Sequence, residues 1–98
     1  KMKKIVPFDN MVIVKVLRQE QTKSGIVLPE QFQSRYINYQ LIAIGPTVSW
    51  KNQAKVGDIV LGNLTPEDEY IDKTNEIKMI NSRDILSKEV HTSGIPES

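Results

Sequence analysis

A chain of 98 residues, 39% apolar and only 6% aromatic, has room for one small domain whose core is built from Val, Ile and Leu. It holds no cysteine, which excludes disulfides and thiolate metal sites and suits a reducing compartment. A formal charge of +1 on scattered Lys and Arg gives no basic footprint for nucleic acid or an anionic membrane. No apolar run is long enough to span a bilayer as a helix, and no signal peptide is visible.

In chain order, Ile5, Val6 and Phe8 form an apolar lead-in. Residues 12–17 (Val-Ile-Val-Lys-Val-Leu) are β-branched, with Val12, Val14 and Val16 on one face of a strand and Lys15 on the other. From 18 to 35 the chain is polar, except for Ile26, Val27 and Leu28, which follow Gly25 and precede Pro29. Two readings of that triad stay open: a short buried strand after a flexible turn, or a linear recognition element that orders only when a partner offers an apolar groove. Residues 36–44 read as a second strand closed by Gly45-Pro46. Parity puts Tyr36 and Tyr39 on opposite faces, with Tyr39, Leu41 and Ala43 towards the core.

Nine residues, 46–54, link Gly45 to Lys55. They hold a tight loop but not a projecting hairpin, with Lys51, Asn52 and Gln53 as its tip and Val48 and Trp50 sharing one face. Residues 55–58 (Lys-Val-Gly-Asp) form a turn in which Gly57 takes a positive φ and launches a strand at 59–61. A polar loop precedes a fourth strand at 77–80. Residues 81–84 then turn the chain, as one helical turn capped by Ser82, into a last short strand ending near Val90. The tail 92–98 is rich in breakers and expected to be disordered. No window keeps a helical period over ten residues or more, so the expected fold is an all-β, single small barrel over 1–91.

Residues for catalysis are missing. His91, the single histidine, lies beside the tail, where nothing holds it as a base or ligand. Glu67, Asp68, Glu69 and Asp72 lack the spacing and turn glycine of a calcium loop. Gly25, Gly45, Gly57 and Gly62 stand singly, so no phosphate cradle forms, and Ser24 has no histidine to activate it. The expected protein is not an enzyme and uses no cofactor or metal.

The stretches Ile-Val-Pro-Phe (5–8), Val-Ile-Val-Lys (12–15), Thr-Lys-Ser-Gly-Ile-Val-Leu-Pro (22–29), Ile-Ala-Ile-Gly (42–45), Lys-Val-Gly-Asp-Ile-Val (55–60) and Asp-Ile-Leu (84–86), in that order and spacing, resemble the GroES family of co-chaperonins over nearly the whole chain. The resemblance implies a β-barrel subunit of a homo-heptamer that caps an ATP-driven GroEL-type chaperonin in the cytoplasm and encloses unfolded clients. It implies that Gly25, Ile26, Val27 and Leu28 bind the chaperonin from a mobile loop over about 18–34. It further implies an interface of Ile5, Val6 and Phe8 against Leu86, Lys88 and Val90 of a neighbour, and a roof at Val48, Trp50, Lys51 and Asn52. Trp50 then either packs down on the barrel or faces neighbours or the cavity.

The sequence departs from the family pattern at Val6, where Arg is usual, and at Asn10-Met11, where Asp-Arg is usual. Its loop is about two residues shorter than in the bacterial housekeeping version, with one glycine before Ile26, and its roof link is short. These departures suggest a specialised, phage-encoded relative with an open roof. Two rivals remain. One is a nucleic-acid-binding barrel, which would want a basic groove with stacking aromatics; the other is an adaptor whose triad binds something other than a chaperonin.

Overall fold

The computed structural model describes residues 5–17, 30–66 and 70–88. The expectations for Gly25, Ile26, Val27, Leu28, Val90, His91 and the 92–98 tail lie outside them. Six strands form one antiparallel sheet: β1 (Met11–Leu17), β2 (Tyr36–Ile44), β3 (Ile59–Asn63), β4 (Tyr70–Asp72), β5 (Ile77–Asn81) and β6 (Ile85–Lys88). Their order is β4-β5-β1-β2-β3-β6, so β1 is interior and β4 and β6 are the edges. The sheet rolls into a small β-barrel around one core of Val12, Val14, Val16, Tyr39, Leu41, Val48, Val60, Ile80 and Ile85. No α-helix occurs among the described residues.

The alternating pattern of β1 sends its three valines into that core, as expected. Ile13 points the other way, between Ala43 of β2 and Met79 of β5, and is buried nonetheless. Along β2, Tyr39 and Leu41 are fully buried, but Ala43 is not part of the core. The reason is a bulge: Ile13 pairs with Ala43 while Val14 pairs with Leu41, leaving Ile42 as the extra residue. An extra residue reverses side-chain parity beyond it, so Ile44, not Ala43, packs against the core.

Two further expectations are corrected. Residues 70–72 form the strand β4, where the sequence reads as a polar loop; Tyr70 pairs with Lys78 and lies against the core. The one-turn 3-10 helix Ser82–Asp84 is capped by Asn81, not Ser82: the Asn81 Oδ1 accepts from the Arg83 N–H at 2.9 Å. Ser82 is buried instead, and its N–H donates to the Asn10 carbonyl at 2.9 Å. The turn before β3 is as expected. Gly57 has φ +98°, its N–H bonds the Leu41 carbonyl at 2.8 Å, and the Asp58 carboxylate accepts from the Lys55 N–H at 3.0 Å.

Candidate functional site

The surface features that could join this barrel to other chains come from its ends and edges. Before β1, residues 5–8 belong to no strand, and of these only Pro7 is buried. Phe8 is 80% exposed, and Ile5 and Val6 are each more than half exposed. The arm is set at a fixed angle: Asp9 takes a left-handed φ of 51°, and the Met11 N–H closes the turn on the Phe8 carbonyl at 3.0 Å. Asp9 and Met11 in turn accept through their carbonyls from Thr47 and Gly45, tying the arm's base to the end of β2.

The second feature is β6. Among the described residues its one ladder is with β3, through Val60, Leu61 and Gly62, so its outer backbone groups face away from the described sheet. Ile85 is turned into the core, whereas Leu86 is 51% exposed. Lys88 makes an ion pair with Asp58 at 3.7 Å, a surface contact of small energetic weight. Beside this strand lies a half-open groove of about 150 Å³, lined by Trp50, Ala54, Val60, Ile85 and Leu86 together with the polar residues Gln53, Ser87 and Lys88.

The 46–54 link supplies one wall of that groove. It contains no strand and folds as successive turns, with Lys51 N–H bonded to the Val48 carbonyl at 3.2 Å and Gln53 N–H to that of Trp50 at 2.8 Å. Lys51, Asn52 and Gln53 are exposed at its tip, as expected. Val48, grouped above with the roof, is 2% exposed and belongs to the barrel core, so it does not project at all. Trp50 packs down on the barrel: half-buried, it lies against the core and its Nε1–H donates to the Ser82 carbonyl at 3.1 Å. The two side chains hold the link flat. A link this short cannot both anchor two residues in the barrel and rise as a hairpin.

The third feature is the segment 30–36 that leads into β2. A 3-10 turn, Glu30–Phe32, is followed by bonds from the Gln33 N–H to Glu30 and the Arg35 N–H to Phe32. The Leu64 N–H fixes the Arg35 carbonyl at 2.8 Å, and the Phe32 and Tyr36 rings stand 6.2 Å apart, tilted by 51°. Residues 30–36 are therefore tied to the start of β2 and the end of β3.

One internal group escaped the sequence reading. Lys78, on the core face of β5, is 2% exposed. Its Nζ donates to the Thr65 carbonyl at 3.0 Å and to Thr65 Oγ1 at 2.9 Å, and lies 4.8 Å from the centre of the Tyr70 ring. The Tyr39 hydroxyl joins the same cluster, donating to the Asn63 carbonyl at 2.7 Å. The signal was parity: Lys78 is two residues from Ile80 and so shares its face. The cluster ties the segment after β3 across to β4 and β5. Among the described residues no group of three His, Cys, Asp or Glu side chains could hold a metal, and no helix is long and apolar enough to cross a membrane.

Comparison with known proteins matches residues 4–89 to the family of the chaperonin 10 Kd subunit, Cpn10. The chain is similar to the co-chaperonin GroES of Ruminiclostridium cellulolyticum, at 36% identity over 90 residues, covering 86% of this chain and 96% of that protein. It is also similar to GroES of Lachnoclostridium phytofermentans (34%, covering 86% and 95%) and of Pseudothermotoga lettingae (30%, covering 87% and 96%). With six antiparallel strands in one small barrel, and with the match running over nearly its whole length, the chain belongs to the chaperonin 10 kDa subunit family.

Proposed function

We propose that this co-chaperonin acts in the cytoplasm as a homo-heptameric lid, closing an ATP-driven GroEL-type chaperonin over an unfolded client. Family membership carries the reading. An exposed apolar arm, and an edge strand whose outer side pairs with no described strand, support the ring. In it, Ile5, Val6 and Phe8 of one subunit pair with Leu86, Lys88 and Val90 of the next.

Contact with the chaperonin is assigned to Gly25, Ile26, Val27 and Leu28. Burying three aliphatic side chains contributes about 5–9 kcal/mol, and ordering the segment costs roughly 2–5 kcal/mol of it. The remainder corresponds to about millimolar affinity for one subunit. A single site of that strength cannot hold a lid, but seven on one ring act at high effective concentration, and each can still let go. The absence of catalytic machinery from the sequence fits a protein that supplies a surface while its partner supplies the ATP chemistry.

Because Val48 and Trp50 hold the 46–54 link against the barrel, the ring is proposed to leave its axis open. The test is native mass spectrometry, alone and with a GroEL-type chaperonin and ATP. The expected species are a particle of seven 11.2 kDa chains and its one-to-one complex with the chaperonin ring. The Ile26→Ser/Leu28→Ser double variant should keep the ring and lose the complex. A monomer at all concentrations, or a complex indifferent to both substitutions, would overturn the proposal. An electron-microscopic view down the axis in which residues 46–54 meet and seal the centre would remove the open roof alone.

A further inference from the structure

We infer that Phe32 and Tyr36 form a second, preformed contact with the chaperonin, seated against apolar surface that adjoins the site taken by Ile26, Val27 and Leu28. This rests on the chaperonin contact proposed above, and it extends that contact from the segment before residue 30 to the barrel itself.

Covalent reach fixes the place. Phe32 follows Leu28 by four residues, and four residues span at most about 14 Å. Whatever surface seats Leu28 therefore lies within that radius of Phe32. The other end of the segment is also near. It leaves from Leu17, which pairs with Asn38, two residues along β2 from Tyr36. Asn38 and Tyr36 share the outer face of that strand, since Tyr39 and Leu41 take the inner one. Both ends of the segment that carries the triad thus meet the barrel beside this aromatic pair.

The pair is suited to a contact. Of the two Phe, three Tyr and one Trp in the chain, one Phe and one Tyr stand here. Phe32 is 38% exposed, and its ring lies 6.2 Å from that of Tyr36, so the two present one aromatic surface. Glu30, Gln31, Gln33 and Ser34 around them are exposed and polar, as at the rim of a protein contact. The base is rigid: the Arg35 N–H bonds the Phe32 carbonyl at 3.0 Å, and the Leu64 N–H bonds that of Arg35 at 2.8 Å. Aromatic side chains on such a base anchor protein contacts because they bury a large apolar area at little cost in conformational freedom. The gain from the triad is reduced by the cost of ordering its segment. Phe32 is in place before the chaperonin arrives, so its burial adds to the weak single-subunit affinity with little such offset.

The absence of cysteine from the chain gives a direct test. Phe32→Cys, labelled with a benzophenone maleimide and irradiated in the complex of the full ring with a GroEL-type chaperonin and ATP, should couple to the chaperonin. The same label on Val56→Cys, exposed on the turn at the other end of β3, should not. Without label, Phe32→Ala should keep the ring mass and weaken capping by on the order of tenfold or more, with Phe32→Leu restoring part of it. Seven copies amplify a small loss in each. Adducts confined to the ring's own chains would overturn the inference, since the pair would then face a neighbouring copy. Capping by Phe32→Ala at full strength, or no adduct on the chaperonin, would overturn it as well. In each of those cases the triad's assignment stands if Ile26→Ser/Leu28→Ser still loses the complex. If Phe32→Ala loses the ring itself, the label decides alone. If the unaltered ring forms no complex with the chaperonin, both readings fall.

Discussion

Gly62 is the position where one added methyl group tests the barrel most sharply. It lies on the core face of β3 at the register shift that sets β6, pairing with Ile85. A Cβ there would stand 2.6 Å from the Asp84 carbonyl oxygen and 2.9 Å from Cε2 of Tyr39. Neither neighbour can yield cheaply. Asp84 O is backbone at the end of the 3-10 turn, and the Tyr39 ring is fully buried with its hydroxyl bonded to the Asn63 carbonyl at 2.7 Å. Overpacking of this kind costs roughly 1–3 kcal/mol. The reduced freedom of the unfolded chain returns roughly 0.4–1 kcal/mol. Gly62→Ala should therefore destabilise by about 1–2 kcal/mol net, and for a domain of this size each kcal/mol lowers Tm by about 4–8 °C. The expected fall is about 5–15 °C by circular dichroism, at one fixed protein concentration because assembly also moves Tm. The loss should fall on β6: amide exchange at Ile85 to Lys88 should accelerate more than in β1. An unchanged or raised Tm would refute the reasoning, showing that the Tyr39 ring and the 3-10 turn move freely.

Gly57→Ala should also destabilise, by about 1–2 kcal/mol, but for a different reason: φ is +98° and nothing lies within 4 Å of the added carbon, so the cost is backbone strain alone. Urea denaturation should show the lower midpoint, and Gly57→Asn, which tolerates positive φ better, should recover part of it. Tyr39→Phe removes the donor to the Asn63 carbonyl in the buried cluster and should cost about 1–3 kcal/mol in the same assay, with the ring's packing kept. Asp72 is held below the ordinary aspartate pKa first by the side-chain bond from Asn75 Nδ2 and then by the Asn75 N–H. A depressed carboxylate stabilises the fold above its unfolded pKa and loses that contribution as pH falls through the folded one. Acid titration by NMR should therefore show the 72–75 turn loosening below the usual aspartate range, with Asp72→Asn abolishing the transition.

Five strands were legible in the sequence: β1, β2, β3 and β5 from their β-branched and apolar runs and β6 from Ile85-Leu86 after a turn, and the Lys55–Asp58 turn shows its glycine plainly. What escaped depended on partners far along the chain. A bulge at Ile42 follows from pairing with β1, and no local signal marks it, so Ala43 and Ile44 exchanged faces. Short and polar, β4 becomes a strand through its pairing with β5. The partners of Lys78, Thr65 and Tyr70, come from segments that only the fold brings beside it. The arm and edge of the candidate interface were legible as segments, and the order of fragments pointed to the family. The groove was not, because its walls come from residues 50 and 86 and are joined only by the fold.

The interior place of β1 has a mechanical consequence. Its N-terminal end continues into the arm, and its C-terminal end into the segment that carries Ile26, Val27 and Leu28. A tug on that segment, resisted at the arm, is thus a load along the axis of one strand clamped between β2 and β5. Such a load is carried as tension in the covalent backbone of β1 and leaves both ladders unsheared; only a tug resisted by β2 and β5 would strain the inter-strand hydrogen bonds, which lie perpendicular to the strand, side-on and all together. β6 has one short ladder and can be unzipped from its free side. Traction between that segment and the arm therefore bypasses β6, and the strand bearing the load keeps its register.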